Sequence, residues 1–450
     1  MRALKPTLLL VLATAFASVS PKASAADARR TTPERIPGLL QDFRWEGTIP
    51  KSGTPVPQFR AVEEAVEKAM RDKNIVGCGV ALLAHDQVVY CRGFGWAEID
   101  KKPFLPTTAT RLGSISKSIT GMTALRLYDD GILQLDDPVF PILEKAGIKP
   151  FRKPGVVMDA RIRAITVHDL LDHTSGFARS APYTASPEMA NEMGKSQLSA
   201  ADVVSYTLGT TRLVRNPGTS HEYSNINFVM AARVIEAVTG MRYEEVVRSK
   251  VLAPMGIAAS DAFVSTLQRN PEDPARRPNE AHYYQWNGNF FPSLFSNDRG
   301  KKVSEPYGGF DPRTMDGAGG WAMSVAAMAN FVSNIVGSHS ILGEKARQAL
   351  LTPPAYAAKK GDTFPSDQRF YSKGIFVHLW RGLPQVEHTG MLQHAGAIFA
   401  PVDETYTAVA VSNCNLARDP WVDVVLRDAV ISGLRQSHAP LPTRPPRNLN

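Results

Sequence analysis

Ser114-Ile115-Ser116-Lys117 places a serine three residues ahead of a lysine at the start of a stretch with helical character. Residues i and i+3 share a helix face, so the Lys117 ammonium comes within hydrogen-bonding reach of the Ser114 hydroxyl. A serine attacks a carbonyl usefully only when a neighbour takes its proton. A lysine can do so once burial and nearby positive groups depress its pKa. The tetrapeptide therefore offers a nucleophile beside its base, although any exposed helix start can carry the same pattern.

Two further stretches could supply partners. Tyr223-Ser224-Asn225 follows the turn Asn216-Pro217-Gly218-Thr219 and precedes a helix. Cations and a helix N-terminus stabilise a phenolate, which would lower the Tyr223 pKa and let it exchange a proton with a serine or a leaving group. Asn225 joins a donor and an acceptor in one side chain, suited to holding a substrate amide and Lys117 together. A packed tyrosine before a capped helix is the plainer reading of that tripeptide. His388-Thr389-Gly390 falls on a late strand, where Gly390 lets a ligand approach the backbone. The Met391 N–H that follows, paired with the Ser114 N–H, would form an oxyanion hole. His394 is close enough in sequence to be the functional histidine instead, and His221 reads as a satisfied loop histidine.

The elements that must position these residues lie at both ends of the chain. Val62, Ala65, Val66 and Ala69 follow helical spacing within Phe59 to Met70. Val76 to Leu83 and Gln87 to Trp96 read as a β-hairpin around His85-Asp86. A helix runs from Ser114 to Asp130, ended by Gly131. Helical patches follow at Val167 to Leu171, Ala200 to Leu208, Asn227 to Thr239, Tyr243 to Leu252 and Ser324 to Val336. Strand signals return in Gly374 to Trp380, Gln385 to His388, Ala395 to Ala400 and Tyr406 to Val411, before a helix from Trp421 to Leu434. Strands at both ends with helices between imply an α/β (α+β) fold. One sheet is built from the two chain ends, flanked by helices, with a mainly helical subdomain inserted over about 132–365. The aromatic cluster Tyr283, Tyr284, Trp286, Phe290 and Phe291 is expected to line the cleft near Ser114.

Residues 1–25 have the form of a secretory signal: Arg2 and Lys5, then an apolar run from Leu8 to Phe16, then Ala23-Ser24-Ala25. The run is short of the roughly 20 residues a membrane span needs. A periplasmic or secreted protein beginning near Ala26 is expected, with an extension over 26–56, the main domain over 57–437 and a tail over 438–450. Cleavage would remove three basic groups, Arg2, Lys5 and Lys22, and no acidic one, so a net charge of +8 becomes +5. No basic run interleaved with aromatics suggests nucleic-acid binding. Hydrophobic and charged fractions of 43% and 21% are those of an ordinary globular chain. Cys78, Cys91 and Cys414 are too few and too scattered for a metal site; Cys78 and Cys91 flank the hairpin, as a cross-strand disulfide or as free thiols.

In this order and with these gaps, S-x-x-K, Y-x-N and then H-T-G resemble the serine β-lactamase and penicillin-binding-protein superfamily, particularly its class C β-lactamase, D-alanyl carboxypeptidase and esterase branch. Arg111-Leu112-Gly113, the run Asp129 to Pro138, Leu170-Leu171-Asp172-His173-Thr174-Ser175-Gly176, Pro254-Met255-Gly256 and Gly319-Gly320-Trp321 are similar to that family too. The resemblance covers about residues 57–437. It implies a β-lactamase/transpeptidase-like fold and an acyl-enzyme on Ser114, with Lys117, Tyr223 and His388 as its catalytic partners. Asn225, Thr389, Gly390 and Met391 would contact a small ester, amide or peptide substrate, and no metal or organic cofactor is implied. Whether Lys117 or Tyr223 is the base stays open. His173 falls in a structural turn of the family and is given no catalytic role. The family's usual lysine is replaced by His388, mostly neutral at pH 7, which weakens the case for β-lactams and D-Ala-D-Ala ends. The alternatives are a D-Ala-D-Ala carboxypeptidase or D-peptidase on cell-wall peptides, or a catalytically silent binding protein on the same fold.

Overall fold

Side chains alternate across a strand, and strand β2 (Gly77–Ala84) is apolar on both faces. Cys78, Val80 and Leu82 join a cluster with Val62, Val66 and Met70 of helix α1 (Arg60–Lys73) and with Leu426 and Val430 of the last helix, Val422–Ser437. Ala81 and Leu83 face the other way, into a larger cluster with Ile119, Met122 and Leu125 of helix α2 (Ser116–Asp129). The strands Ala395–Pro401 and Tyr406–Ser412 sort their residues likewise, Ile398 and Ala408 to the first cluster, Phe399 and Val409 to the second. Such a sheet needs helices on both sides, and has them.

The computed structural model describes residues 36–40, 43–286, 288–298, 300–358, 369–380, 383–416 and 421–437. The leader read into residues 1–25, the extension before Ile36 and the tail 438–450 lie outside the described residues. In the main sheet the neighbours are, in order, β1 (Lys51–Ser52), β3 (Gln87–Glu98), β2, Tyr406–Ser412, Ala395–Pro401, Leu383–Leu392, Ile375–Trp380 and Arg369–Ser372. Each pair is antiparallel. The two chain ends meet where β2 pairs with Tyr406–Ser412, Gly79 opposite Val411.

The hairpin of β2 and β3 turns at His85-Asp86, with His85 at φ 56°, the left-handed conformation that two-residue hairpin turns require. Its register settles the cysteines. Cys78 stands opposite Phe94 and Cys91 opposite Ala81, so the thiols are offset by three ladder positions, roughly 10 Å at the usual rise. They also face different clusters. That is beyond a disulfide's reach, and all three cysteines are free.

Helix α2 is buried from Ser116 through Leu125 and is wrapped by the rest of the fold. The helices Ala200–Thr210, Asn225–Thr239 and Val325–Val336 match the sequence pattern to within about two residues, while the Tyr243 helix changes to a wider π turn over Arg248–Leu252. Short strands went unforeseen. Ala109–Arg111, Trp321–Ser324 and Ala262–Val264 form a three-stranded sheet, and Arg369–Ser372 adds an edge to the main one. Three or four residues are too few to display an alternating pattern. Among the described residues no helix is long and apolar enough to cross a membrane.

Candidate active site

Ser114 lies in a single 3₁₀ turn, Gly113–Ile115, directly ahead of α2. Gly113 has φ 51°, and a Cβ on it would stand 2.8 Å from the Met391 nitrogen. On the facing strand Leu383–Leu392, a Cβ on Gly390 would lie 1.7 Å from the Leu112 carbonyl oxygen. Only glycine fits such a contact. The two glycines let the strand press its backbone against the serine's turn.

One helical turn on, Lys117 is fully buried, and its Nζ donates to Ser114 Oγ at 3.0 Å and to the Ala318 carbonyl at 2.8 Å. Burial first, and then the charge of Arg179, holds its pKa well below the usual lysine range. Nζ also stands 4.9 Å from the centre of the Tyr223 ring. Nζ engages Ser114 and Ala318, and the expected contact between Asn225 and Lys117 is absent among the described hydrogen bonds. Asn225 instead hydrogen-bonds the Tyr183 hydroxyl, and its Oδ1 is buried without a partner.

Tyr223 departs from expectation. Burial raises its pKa far above the usual phenol range and outweighs the hydrogen bond with Ser114 and the Arg179 charge, which act the other way. It precedes the helix Asn225–Thr239 and is fixed from below by His173, whose ring centre lies 4.3 Å from its own. His173 Nδ1 accepts from Ser224 N at 3.2 Å and sits 3.1 Å from Asn227 Nδ2. Two donors on Nδ1 put the ring hydrogen on Nε2, and burial, then Lys117, keeps the imidazole neutral. His173 thus supports Tyr223, a contact the motif alone did not reveal.

His388 is 2% exposed and packs beside Tyr371 and Phe376. Its Nδ1 lies 2.6 Å from the Thr389 carbonyl and donates to it. Burial, then the charge of Lys117, pushes its pKa down to about 3, so it is neutral across the physiological range. Thr389 is exposed at the surface of the same strand.

Ser114, Asn225 and Met391 line a cavity of about 300 Å³ together with Tyr183, Phe291, Glu305, Phe310 and Leu392. Of the aromatic segment expected there, only Phe291 arrives. Tyr283 is buried behind Arg111, accepting from its backbone N–H at 3.0 Å, Tyr284 binds the Ile99 N–H at 3.1 Å, Trp286 stands near Phe43 and Phe290 is exposed. Each tyrosine hydroxyl has a distant backbone partner that composition cannot show. His394 lies behind Glu305, its Nδ1 2.8 Å from Oε2 and its Nε2 3.2 Å from Arg111 Nη1. Among the described residues no group of three or more His, Cys, Asp or Glu side chains could hold a metal ion.

Comparison with known proteins gives the family and the fold. The Beta-lactamase family model matches residues 62–426. Protein flp of Staphylococcus aureus strain N315 is 26% identical over 213 residues, which are 47% of this chain and 40% of that protein, so the match spans well under half of the relative. The D-amino acid amidase of Ochrobactrum anthropi SV3, solved with D-phenylalanine, superposes with a TM-score of 0.60 at 20% identity over 85% of this chain and all of its own. EstCE1, a hydrolase with promiscuous acyltransferase activity, gives 0.58 at 20% identity over 83% of this chain and 98% of its own. The chain belongs to the β-lactamase family of serine hydrolases and has its β-lactamase/transpeptidase-like fold.

Proposed function

We propose that the protein cleaves an ester or amide through an acyl-Ser114 intermediate. The observation that carries this reading is the buried Lys117 Nζ 3.0 Å from a Ser114 hydroxyl that opens into the cavity. The two pKa directions support a division of labour. With its pKa depressed, Lys117 is available as a neutral base; with its pKa raised, Tyr223 keeps its phenolic hydrogen. As Ser114 Oγ bonds to the carbonyl carbon its proton passes to Lys117, and the Ser114 and Met391 N–H groups take the oxyanion. Tyr223 gives its proton to the departing oxygen or nitrogen and is recharged from Lys117. Water then hydrolyses the acyl-enzyme and frees Ser114.

Asn225 Oδ1 and Thr389 contact the substrate in this reading, and His388 forms a neutral wall beside Lys117. A neutral His388 offers no charge to a substrate carboxylate, which favours esters and simple amides over β-lactams and D-Ala-D-Ala ends. The intact Ser114–Lys117 contact argues against a silent binding protein. A fluorophosphonate probe should label the wild type and not Ser114→Ala, with turnover of a nitrophenyl ester following the same dependence; a fluorescent penicillin should label weakly. Absence of any Ser114-dependent adduct defeats the proposal. The basic, apolar and small-residue succession in residues 1–25 supports export, and N-terminal sequencing of protein from the cell exterior should then begin near Ala26.

A further inference from the structure

The charged side chains lining the cavity are both acidic. They are Glu188, which is exposed, and Glu305, whose side chain is 14% exposed, and no lysine or arginine is among the described lining residues. Glu305 is held in place from behind. Its Oε2 accepts from Gln393 N at 2.6 Å and from His394 Nδ1 at 2.8 Å. Arg111, always cationic, can only donate to His394 Nε2, so the ring hydrogen is on Nδ1 and points to Glu305. Arg111 is itself fixed by Ser265 Oγ at 3.0 Å and the Thr266 carbonyl at 3.1 Å. These described bonds engage Oε2. Asn225 also lines the cavity, and its Oδ1 is buried with no partner.

A carboxylate among the residues that line a space of substrate size, with an unpartnered acceptor on a second lining residue, calls for a donor with several hydrogens and a positive charge. We infer that the site selects substrates whose acyl half carries a protonated amine, bound by Glu305 with Asn225 Oδ1 as second acceptor, its side chain lying against Phe291 and Phe310. This rests on the acyl-Ser114 reading and deepens it to amino-acyl esters and amides. A primary ammonium has three donors, and a charge-assisted bond to a carboxylate is stronger than a neutral one.

The test uses p-nitroanilides of D- and L-phenylalanine, each with the amine free or acetylated, and p-nitrophenyl butyrate as a neutral reporter. For at least one enantiomer the wild type should prefer the free amine by roughly 30-fold or more in kcat/KM. In Glu305→Gln that ratio should collapse to within about threefold of unity. A substitution that merely loosened the fold would lower both substrates together and leave the ratio unchanged, which overturns the inference. So does a wild-type ratio near one, a result that needs no variant to fold. Ser114-dependent butyrate turnover alongside such a ratio leaves the acyl-Ser114 reading standing; no Ser114-dependent turnover of any of these substrates removes both.

Discussion

Asp172 Oδ2 holds Lys373 Nζ at 2.8 Å with both side chains sealed from solvent. The other carboxylate oxygen takes the Lys373 backbone N–H, also at 2.8 Å. Asp172 directly precedes His173, on which Tyr223 rests. Lys373 lies in the turn between Arg369–Ser372 and Ile375–Trp380, where the Gly374 carbonyl accepts from Ser118 Oγ of α2 at 3.0 Å. One ion pair therefore ties the support of the tyrosine to the edge of the sheet and to the helix of the nucleophile.

Breaking that pair leaves a buried ammonium without a counter-charge. Asp172→Asn should lose about 3–5 kcal/mol of stability in urea denaturation, and adding Lys373→Met should recover much of it. Burial alone would raise the Asp172 pKa, but Lys373 and His168 pull it below the usual carboxylate range. A depressed folded-state pKa gives stability that is present above the unfolded-state value and lost as pH falls through the folded one. The acid limb of the wild-type stability curve should therefore be steeper than that of Asp172→Asn; identical limbs would rule the pair out as a major contributor.

The pH dependence of ester hydrolysis distinguishes the proton carriers. With Lys117 depressed and Tyr223 raised, kcat/KM should climb to a plateau well below the ordinary lysine range and should not fall again near pH 10. Lys117→Ala and Tyr223→Phe should each cost roughly 10²–10⁴-fold in kcat/KM. A rising limb that vanishes in Tyr223→Phe while Lys117→Ala keeps it would reverse the assignment, making the phenolate the base.

At Gly390 a single methyl group tests the seam between strand and helix. Gly390→Ala drives its Cβ toward the Leu112 carbonyl, so the strand must retreat. Displacement of an oxyanion donor by about 1 Å is expected to cost on the order of 100-fold in kcat/KM. Thr389→Ala, one residue earlier and exposed, should leave the melting temperature within a degree or two of the wild type, which calorimetry on the two variants would show.

Asp423 offers a stability switch at mild pH. Burial lifts its pKa to about 6, and both carboxylate oxygens are buried without a hydrogen-bond partner. For a raised carboxyl the stabilising protonated state is fully present below the unfolded-state pKa and is lost as pH rises through the folded one. Asp423→Asn should therefore stabilise the protein at pH 8, by about 1–3 kcal/mol on a shift of this size, and confer little at pH 4. Denaturation at the two pH values checks it; a gain of equal size at both would show that charge is not the cause.

How far the chain could be read by eye follows the range of each contact. Ser114 and Lys117 meet because a three-residue spacing on a helix leaves them little choice, and β2 declared itself by eight consecutive apolar or small residues. The Ala318 carbonyl on Lys117, His173 under Tyr223 and Arg111 behind His394 depend on tertiary packing between distant segments, which no local pattern encodes. Tyr223 shows the same boundary in electrostatics. Its position before a helix was visible and argued for a lower pKa; the burial that raises it was not.

The meeting of Gly113 and Gly390 has a temporal side. A ribosome releases Ser114 and Lys117 long before it reaches the strand that carries Met391, and a chain still unfolded holds neither surface against the other. On the proposed mechanism such a chain owns its nucleophile and base yet has nowhere to stabilise the tetrahedral intermediate. Hydrolysis begins only when the last strands dock, so the onset of activity reports the completion of folding, and the enzyme stays silent in any compartment where it has not finished.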